Sequence, residues 1–162
     1  MKIVPYTQSA QTNAELVDLI MYCQNTEAQL NIKLAEQADI FDIETYYQAN
    51  GGNFWLAIDQ QQVVGSIGLL NLNNNVGVLK KFFTYPNYRG QPQRLGRQLF
   101  ETLETYVTQE TGLTQLILDT PAAETRSHYF YQKHGFEQIP RAALPVTYPF
   151  PDRDSLIFLK NY

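Results

Sequence analysis

Apolar and polar positions follow two different periods along this chain. After a short apolar start at Met1-Lys2-Ile3-Val4-Pro5-Tyr6 that suits an edge strand, Thr12-Asn13-Ala14-Glu15 has the form of a capping box, which satisfies the free amides of a helix start. Leu16, Leu19, Ile20 and Cys23 then share one helical face. From Asp39 to Gln48 the spacing of Ile40, Ile43 and Tyr47 predicts a second, shorter helix, ended by Asn50-Gly51-Gly52. Three strands follow, Phe54 to Ile58, Val63 to Leu72 and Val76 to Tyr85. Asp59-Gln60-Gln61-Gln62 and Asn73-Asn74-Asn75 separate them, polar clusters short enough for antiparallel hairpins.

The period then changes. Leu95, Leu99, Leu103 and Val107 recur every four residues with Phe100 and Tyr106 alongside, and Gly112 closes this helix. Leu116-Ile117-Leu118 reads as a buried strand. Thr120-Pro121 places a hydroxyl cap and a first-turn proline before a helix that carries Phe130 and Tyr131 and stops at Gly135. Phe136 to Ile139, a stretch spaced by Pro140, Pro145, Pro149 and Pro151, and a last strand from Ser155 to Lys160 complete the chain. This order predicts a mixed α/β (α+β) domain around one largely antiparallel sheet flanked by helices, with residues 1–162 forming a single domain.

Composition narrows the function classes. A 44% hydrophobic and 17% charged chain of 162 residues suits a globular domain. A net charge of −4 and a pI near 5.1 argue against nucleic acid as a partner, because phosphate binding rests on an excess of Lys and Arg. No signal peptide and no apolar run long enough to span a membrane is present, so a cytoplasmic protein without a membrane partner is expected. Cys23 is the only cysteine, which leaves no disulfide and no cysteine-based zinc cluster. His128 and His134 are too few for a metal site.

The segment from Leu79 through Arg89-Gly90-Gln91-Pro92-Gln93-Arg94-Leu95-Gly96-Arg97 runs from a strand through a polar loop into the long helix. Such a loop can hold a pyrophosphate, because a helix start offers unpaired amides and the positive end of the dipole. Arg89, Arg94 and Arg97 add cations there. Taken with Tyr131-Gln132-Lys133-His134-Gly135-Phe136 further on, this strand-loop-helix resembles the GNAT superfamily of N-acetyltransferases, from about Phe54 to Ile139.

The resemblance implies that acetyl-coenzyme A is the cosubstrate and that no metal takes part. It implies that Arg89, Gly90, Gln91, Gln93, Arg94, Leu95, Gly96 and Arg97 form the pyrophosphate loop. It also implies that a bulged strand and its neighbour splay to admit the pantetheine arm, with a thioester-binding amide among Phe82, Phe83 and Thr84. Tyr131 would then be the general acid for the departing thiolate. Two departures from the family pattern stand out: Arg94 replaces the usual middle glycine of the loop, and Glu124 stands where many members have asparagine. The first fits either a two-residue insertion, favoured because Leu95 and Gly96 keep their relation to the helix, or a pyrophosphate held partly by arginine side chains.

Each candidate has a plainer role. Tyr131 also reads as a core aromatic beside Phe130. Asp119 could take the proton of the incoming ammonium, but helix-start electrostatics beside Thr120 is the favoured reading. Asp42 and Glu44 read as solvated helix carboxylates, Lys80-Lys81 as one solvent-facing and one edge residue, and Phe82, Phe83, Tyr85 and Tyr88 as pocket lining or core. Ser66 and Ser127 lack a His and Asp partnership. Direct attack in a ternary complex follows from the distance of Cys23 along the chain, and the acceptor is a small-molecule or peptide amine. A homodimer is compatible with all of this. The alternatives are a noncatalytic coenzyme A-binding module of the same fold and an unrelated α/β interaction domain.

Overall fold

The computed structural model describes residues 1–151 and 154–162. Its centre is a seven-stranded sheet. The strands are β1 (Lys2–Pro5), β2 (Asn53–Asp59), β3 (Gln62–Asn71), β4 (Val76–Thr84), β5 (Gln115–Pro121), β6 (Glu137–Ile139) and β7 (Ser155–Asn161), in the spatial order β1-β2-β3-β4-β5-β7-β6. Neighbours run antiparallel except β4 and β5, which are parallel. The two polar separators make the expected hairpins, because Gln60, Gln61, Asn73 and Asn75 take the left-handed conformation that tight turns require.

Helix α1 (Ala10–Met21) covers one face of the sheet, and α2 (Leu95–Glu110) and α3 (Thr125–Lys133) cover the other. The twofold alternation of a strand divides its residues between these layers. Phe54 and Leu56 of β2 join the core under α1, whereas Trp55 and Ala57 join the core under α2. Of the six apolar residues read for α2, Leu95, Leu99, Phe100, Leu103 and Val107 are buried and Tyr106 is partly buried. Val76, Val78, Ile117 and Ile157 pack under the proline-spaced tail, against Phe150, Val146 and Tyr148.

Three expectations about helices are corrected. The cap of α1 is Ser9, whose Oγ accepts from the Thr12 amide at 3.0 Å, so Thr12 lies inside the first turn. Glu15, freed from capping, accepts the Val63 amide at 2.8 Å and ties α1 to β3. The segment from Asp39 to Gln48 is not one α-helix: Ala38–Phe41 is a 3-10 turn and Glu44–Gln48 a π turn. Asp42 leaves the helical region and caps the second turn through Thr45, the local hydrogen bonding that disfavours Asp in helix interiors. Ile40, Ile43 and Tyr47 are nevertheless buried, since periodicity reports the buried face and not the hydrogen-bond register. Thr120 and Pro121 end β5, paired with Leu156 and Ser155, and α3 begins only at Thr125. A proline at a strand end forfeits no ladder bond, so it serves there as readily as at a helix start.

Candidate active site

Strands β4 and β5 pair only from Val76 and Gln115 to Val78 and Ile117. Beyond that point β4 continues to Thr84 and β5 to Pro121 without pairing, so the sheet opens in its middle. The opening coincides with a bulge. Ser66 faces Phe83 and Gly68 faces Lys80, which leaves Lys81 and Phe82 together opposite Ile67. Lys81 sits in the left-handed region at φ 51, and its carbonyl is held by the Ser66 hydroxyl at 2.7 Å. Ser66 is therefore the brace of the bulge.

On the α2 and α3 side of the opening lies Tyr131. Its place follows from how α3 ends. The Phe136 amide donates to the Tyr131 carbonyl at 3.0 Å and the Gly135 amide to the Gln132 carbonyl at 3.1 Å, with Gly135 at φ 89. This is a Schellman stop, in which the glycine supplies the left-handed turn and the next residue packs back on the helix. Phe136 does so, with ring centroids 5.6 Å from Tyr131. The Tyr-x-x-x-Gly-Phe spacing thus records a helix terminus that fixes the tyrosine. Phe82, Phe130 and Phe158 complete an aromatic box around it. Among the described residues the Tyr131 hydroxyl has no hydrogen-bond partner. Burial, reinforced by Asp119, raises its pKa well above that of an ordinary tyrosine, so the hydroxyl keeps its proton.

The other side of the opening is charged, and the sequence did not show it. Lys80 and Lys81, expected as a solvent-facing and an edge residue, both turn to Asp39, with Nζ at 3.8 and 3.6 Å from its carboxylate oxygens. Successive strand residues normally point to opposite faces, and the left-handed bulge residue is what brings these two together. Asp39 also accepts from the buried Tyr47 hydroxyl at 2.5 Å. Gln37 accepts from Lys81 at 2.7 Å and exchanges two amide hydrogen bonds with Gln24, which lies on the π turn Tyr22–Glu27 that extends α1. Burial would raise the pKa of Asp39, but Lys81 and Lys80 outweigh it and hold the carboxyl below its ordinary range. Lys81 is pushed down to about 8, by burial first.

Asp119 stands across the opening on β5. It is not beside a helix cap, as the favoured reading had it, because Thr120 belongs to the strand. Burial raises its pKa, opposed by Lys80, Arg141 and Lys81. One signal for this cluster was present in the sequence: two lysines flanked by Val78-Leu79 and Phe82-Phe83 interrupt a strand that is apolar on both faces. Buried lysines need partners.

At the mouth of the opening is the start of α2. Arg94 occupies the N-cap position at φ 48, the conformation for which the family's glycine is suited, and supplies no side-chain cap. Its amide donates to the Gly90 carbonyl at 2.6 Å, folding Gly90 to Arg94 into a turn. The first-turn amides of Leu95, Gly96 and Arg97 precede the first helical bond, which the Gln98 amide makes to the Arg94 carbonyl. Gly90 faces open space, and Gly96 lies next to the Phe82 ring. Arg97 pairs with Glu101 on the exposed face of α2. Arg89 is engaged within the chain, by Glu27 and by the hydroxyl and carbonyl of Thr84, and so locks the end of β4 to the π turn. Phe82, Phe83 and Thr84 all lie on the stretch of β4 that has parted from β5, while Phe83 and Thr84 stay paired with Ser66 and Gly65 of β3. Glu124 is the N-cap residue of α3 and makes no side-chain cap. A separate open groove of about 510 Å³ between α1 and β1 to β3, lined by residues such as Lys2, Gln11 and Glu15, contains none of these groups.

Known proteins resemble this chain in sequence and in fold. The structure of an acetyltransferase from Streptococcus agalactiae 2603 is 53% identical, covers 99% of this chain and 98% of its own, and superposes with a TM-score of 0.96. An N-acetylaspartate synthetase of Danio rerio is 30% identical over 65% of this chain, which spans only 37% of that relative. A PaiA N-acetyltransferase from Thermoplasma acidophilum in complex with coenzyme A, 18% identical with coverage of 100% of both chains and a TM-score of 0.70, shares the fold. The model of the Acetyltransferase (GNAT) family matches residues 20–136. With a parted β4 and β5, a bulge at the parting and an uncapped helix start at its mouth, the chain belongs to the GNAT family of acetyltransferases.

Proposed function

We propose that this protein transfers the acetyl group of acetyl-coenzyme A to a primary amine by direct attack in a ternary complex. The parting of β4 from β5 after Val78 and Ile117 carries the reading, because it joins an aromatic hydroxyl on one side of the sheet to a carboxylate on the other through a single gap. The thioester supplies the activated acetyl group. The residues around the gap fit such a ligand: the amides of Leu95, Gly96 and Arg97 and the open turn at Gly90 suit a pyrophosphate, and the edge of Phe82 to Thr84 that faces away from β3, with no β5 partner, suits a carbonyl oxygen.

Within that frame the chain holds and moves two protons. Asp119 takes one from the incoming ammonium, a role that its raised pKa favours over the full basicity range of an exposed carboxylate. Tyr131 gives one from its hydroxyl to the departing thiolate sulfur as the carbon–sulfur bond breaks, and regains one, through solvent, from the nitrogen that has joined the acetyl carbon, which leaves a neutral amide and a neutral thiol. The Lys80 and Lys81 charges lower the proton affinity of an amine held near them, which increases its neutral, attacking fraction. Cys23 is unsuited to carry the acetyl group, because it is buried behind Thr84 and its thiol is pushed up to about 11.

The test is calorimetric titration with coenzyme A followed by a thiol-release screen over amino acids, polyamines, aminoglycosides and peptides with acetyl-coenzyme A. Binding and release with at least one amine are expected. Binding with no release from any amine would replace the enzyme by a noncatalytic coenzyme A-binding module.

A further inference from the structure

The charged groups that set one another's ionisation beside the gap are Asp39, Asp119, Lys80, Lys81 and Arg141, three cations to two carboxylates. Their partners are unevenly distributed. Lys81, with 9% of its side chain exposed, donates to Gln37, and Asp39 accepts from Tyr47. Arg141 donates to the Phe150 and Pro151 carbonyls of the tail. Lys80 is the least committed cation. Its Nζ stands 3.8 Å from a carboxylate that it shares with Lys81, beyond hydrogen-bond distance, its hydrogen-bonding neighbour is the phenol of Tyr148, and 30% of its side chain is exposed.

We propose that the acceptor is a small molecule bearing a carboxylate as well as the reacting amine, with the carboxylate seated on Lys80 and the amine directed to Asp119 across the gap. The inference rests on the acetyltransferase reading above and deepens it. A carboxylate on the acceptor would offset the charge of its own ammonium, so that binding adds no cation to the cluster. It would also give Lys80 an unshared anionic partner, which neither the Tyr148 phenol nor Asp39, shared with a second lysine and bonded to Tyr47, provides. Lys80 and Asp119 each lie two residues beyond the last β4–β5 pair, Val78 and Ile117, so a short molecule can reach from one to the other across the opening. A diamine, by contrast, would bring a further cation to a site already in cationic excess.

The experiment measures thiol release with acetyl-coenzyme A over matched triplets that differ only at the far end: glycine, glycinamide and ethylenediamine; β-alanine, its amide and 1,3-diaminopropane; 4-aminobutyrate, its amide and putrescine. In at least one triplet the carboxylate should exceed its amide in kcat/KM by about tenfold or more, the scale of one partly buried ion pair. Lys80→Met should bring that ratio close to one, chiefly through KM, and Lys80→Arg should restore much of it. The coenzyme A-induced shift in melting temperature, kept in both variants, shows that the fold and the cofactor cleft persist. Preference for the amide or diamine in every triplet, a ratio that survives Lys80→Met, or cofactor binding with no transfer to any of these amines overturns the inference. Transfer to diamines alone would do so while leaving the acetyltransferase reading intact, whereas loss of both cofactor binding and transfer removes the two together.

Discussion

In the proposed reaction Tyr131 serves packing and chemistry through different atoms. Its ring is fixed by Phe82, Phe130, Phe136 and Phe158, whereas its hydroxyl has no partner among the described residues. Tyr131→Phe should therefore leave the melting temperature within a degree or two, since the deleted hydroxyl donates no bond in the free protein. The maximal rate should fall by about 10- to 100-fold with an unchanged coenzyme A dissociation constant, because a proton delivered as the thiolate departs stabilises only the transition state. Single-turnover kinetics beside calorimetry checks both, and a wild-type rate of chemistry would reduce Tyr131 to a core aromatic. With its pKa raised by burial and by Asp119, Tyr131 holds its proton through the working range, so no alkaline limb of the rate profile belongs to it. At Arg94 the residue and its conformation disagree: φ 48 is a glycine's geometry.

At the level of elements, the site depends on two local irregularities, the bulge of β4 and the stop of α3. The stop requires Gly135 at φ 89, where a Cβ would also come within 3.4 Å of the Lys160 side chain. Gly135→Ala is expected to destabilise the fold by about 1 kcal/mol or somewhat more, the cost of a side chain in the left-handed region. It should also lower the maximal rate, because the same hydrogen bonds that end α3 place Tyr131. Chemical denaturation and turnover measured on one preparation would show the coupled loss, and a destabilised variant with wild-type turnover would separate the helix stop from the catalytic geometry. The bulge works differently, since it needs no glycine. The Ser66 hydroxyl holds the Lys81 carbonyl, and the ion pairs of Lys80 and Lys81 with Asp39 hold the side chains on the same side.

Across the whole molecule, the buried charges tie stability to pH. Lys81 is held at about 8 in the fold against an ordinary 10.5, by burial first, with Lys80 acting in the same direction and Asp39 against. Between those values the unfolded chain carries a proton on this amine that the native protein lacks, so the free energy of unfolding gains a contribution that rises with pH. Below about 8 both states are protonated and the contribution is flat. The stability of the wild type relative to Lys81→Met, from denaturant titrations, should therefore increase between pH 8 and 10, while the effects of groups remote from Lys81 cancel in the difference and Asp39 is ionised throughout. A flat or falling difference would mean that Lys81 stays charged on Asp39. Asp39 acts with the opposite sense: its depressed pKa adds stability above the ordinary carboxyl range and loses it in acid.

Much of this was determined by the order of residues alone. The twofold and 3.6-fold periods identified all seven strands to within a few residues, and α2 with its buried face. Leu95-Gly96 and Tyr131 to Phe136 marked a helix start and a helix stop, because amide supply and left-handed glycine are local properties. Hydrogen-bond register was less legible: Ser9 competed with Thr12 for one cap, and Asp42 interrupted a segment whose apolar spacing was helical. The charged half of the site was decided only by tertiary structure. Asp39, Gln24 and Gln37 come from the segments between α1 and β2, Lys80 and Lys81 from β4, and Asp119 from β5. A lysine on a strand has the same local preferences whether water or a distant carboxylate solvates it. Only the parting of β4 from β5 and the bulge beside it determine which of the two this protein provides.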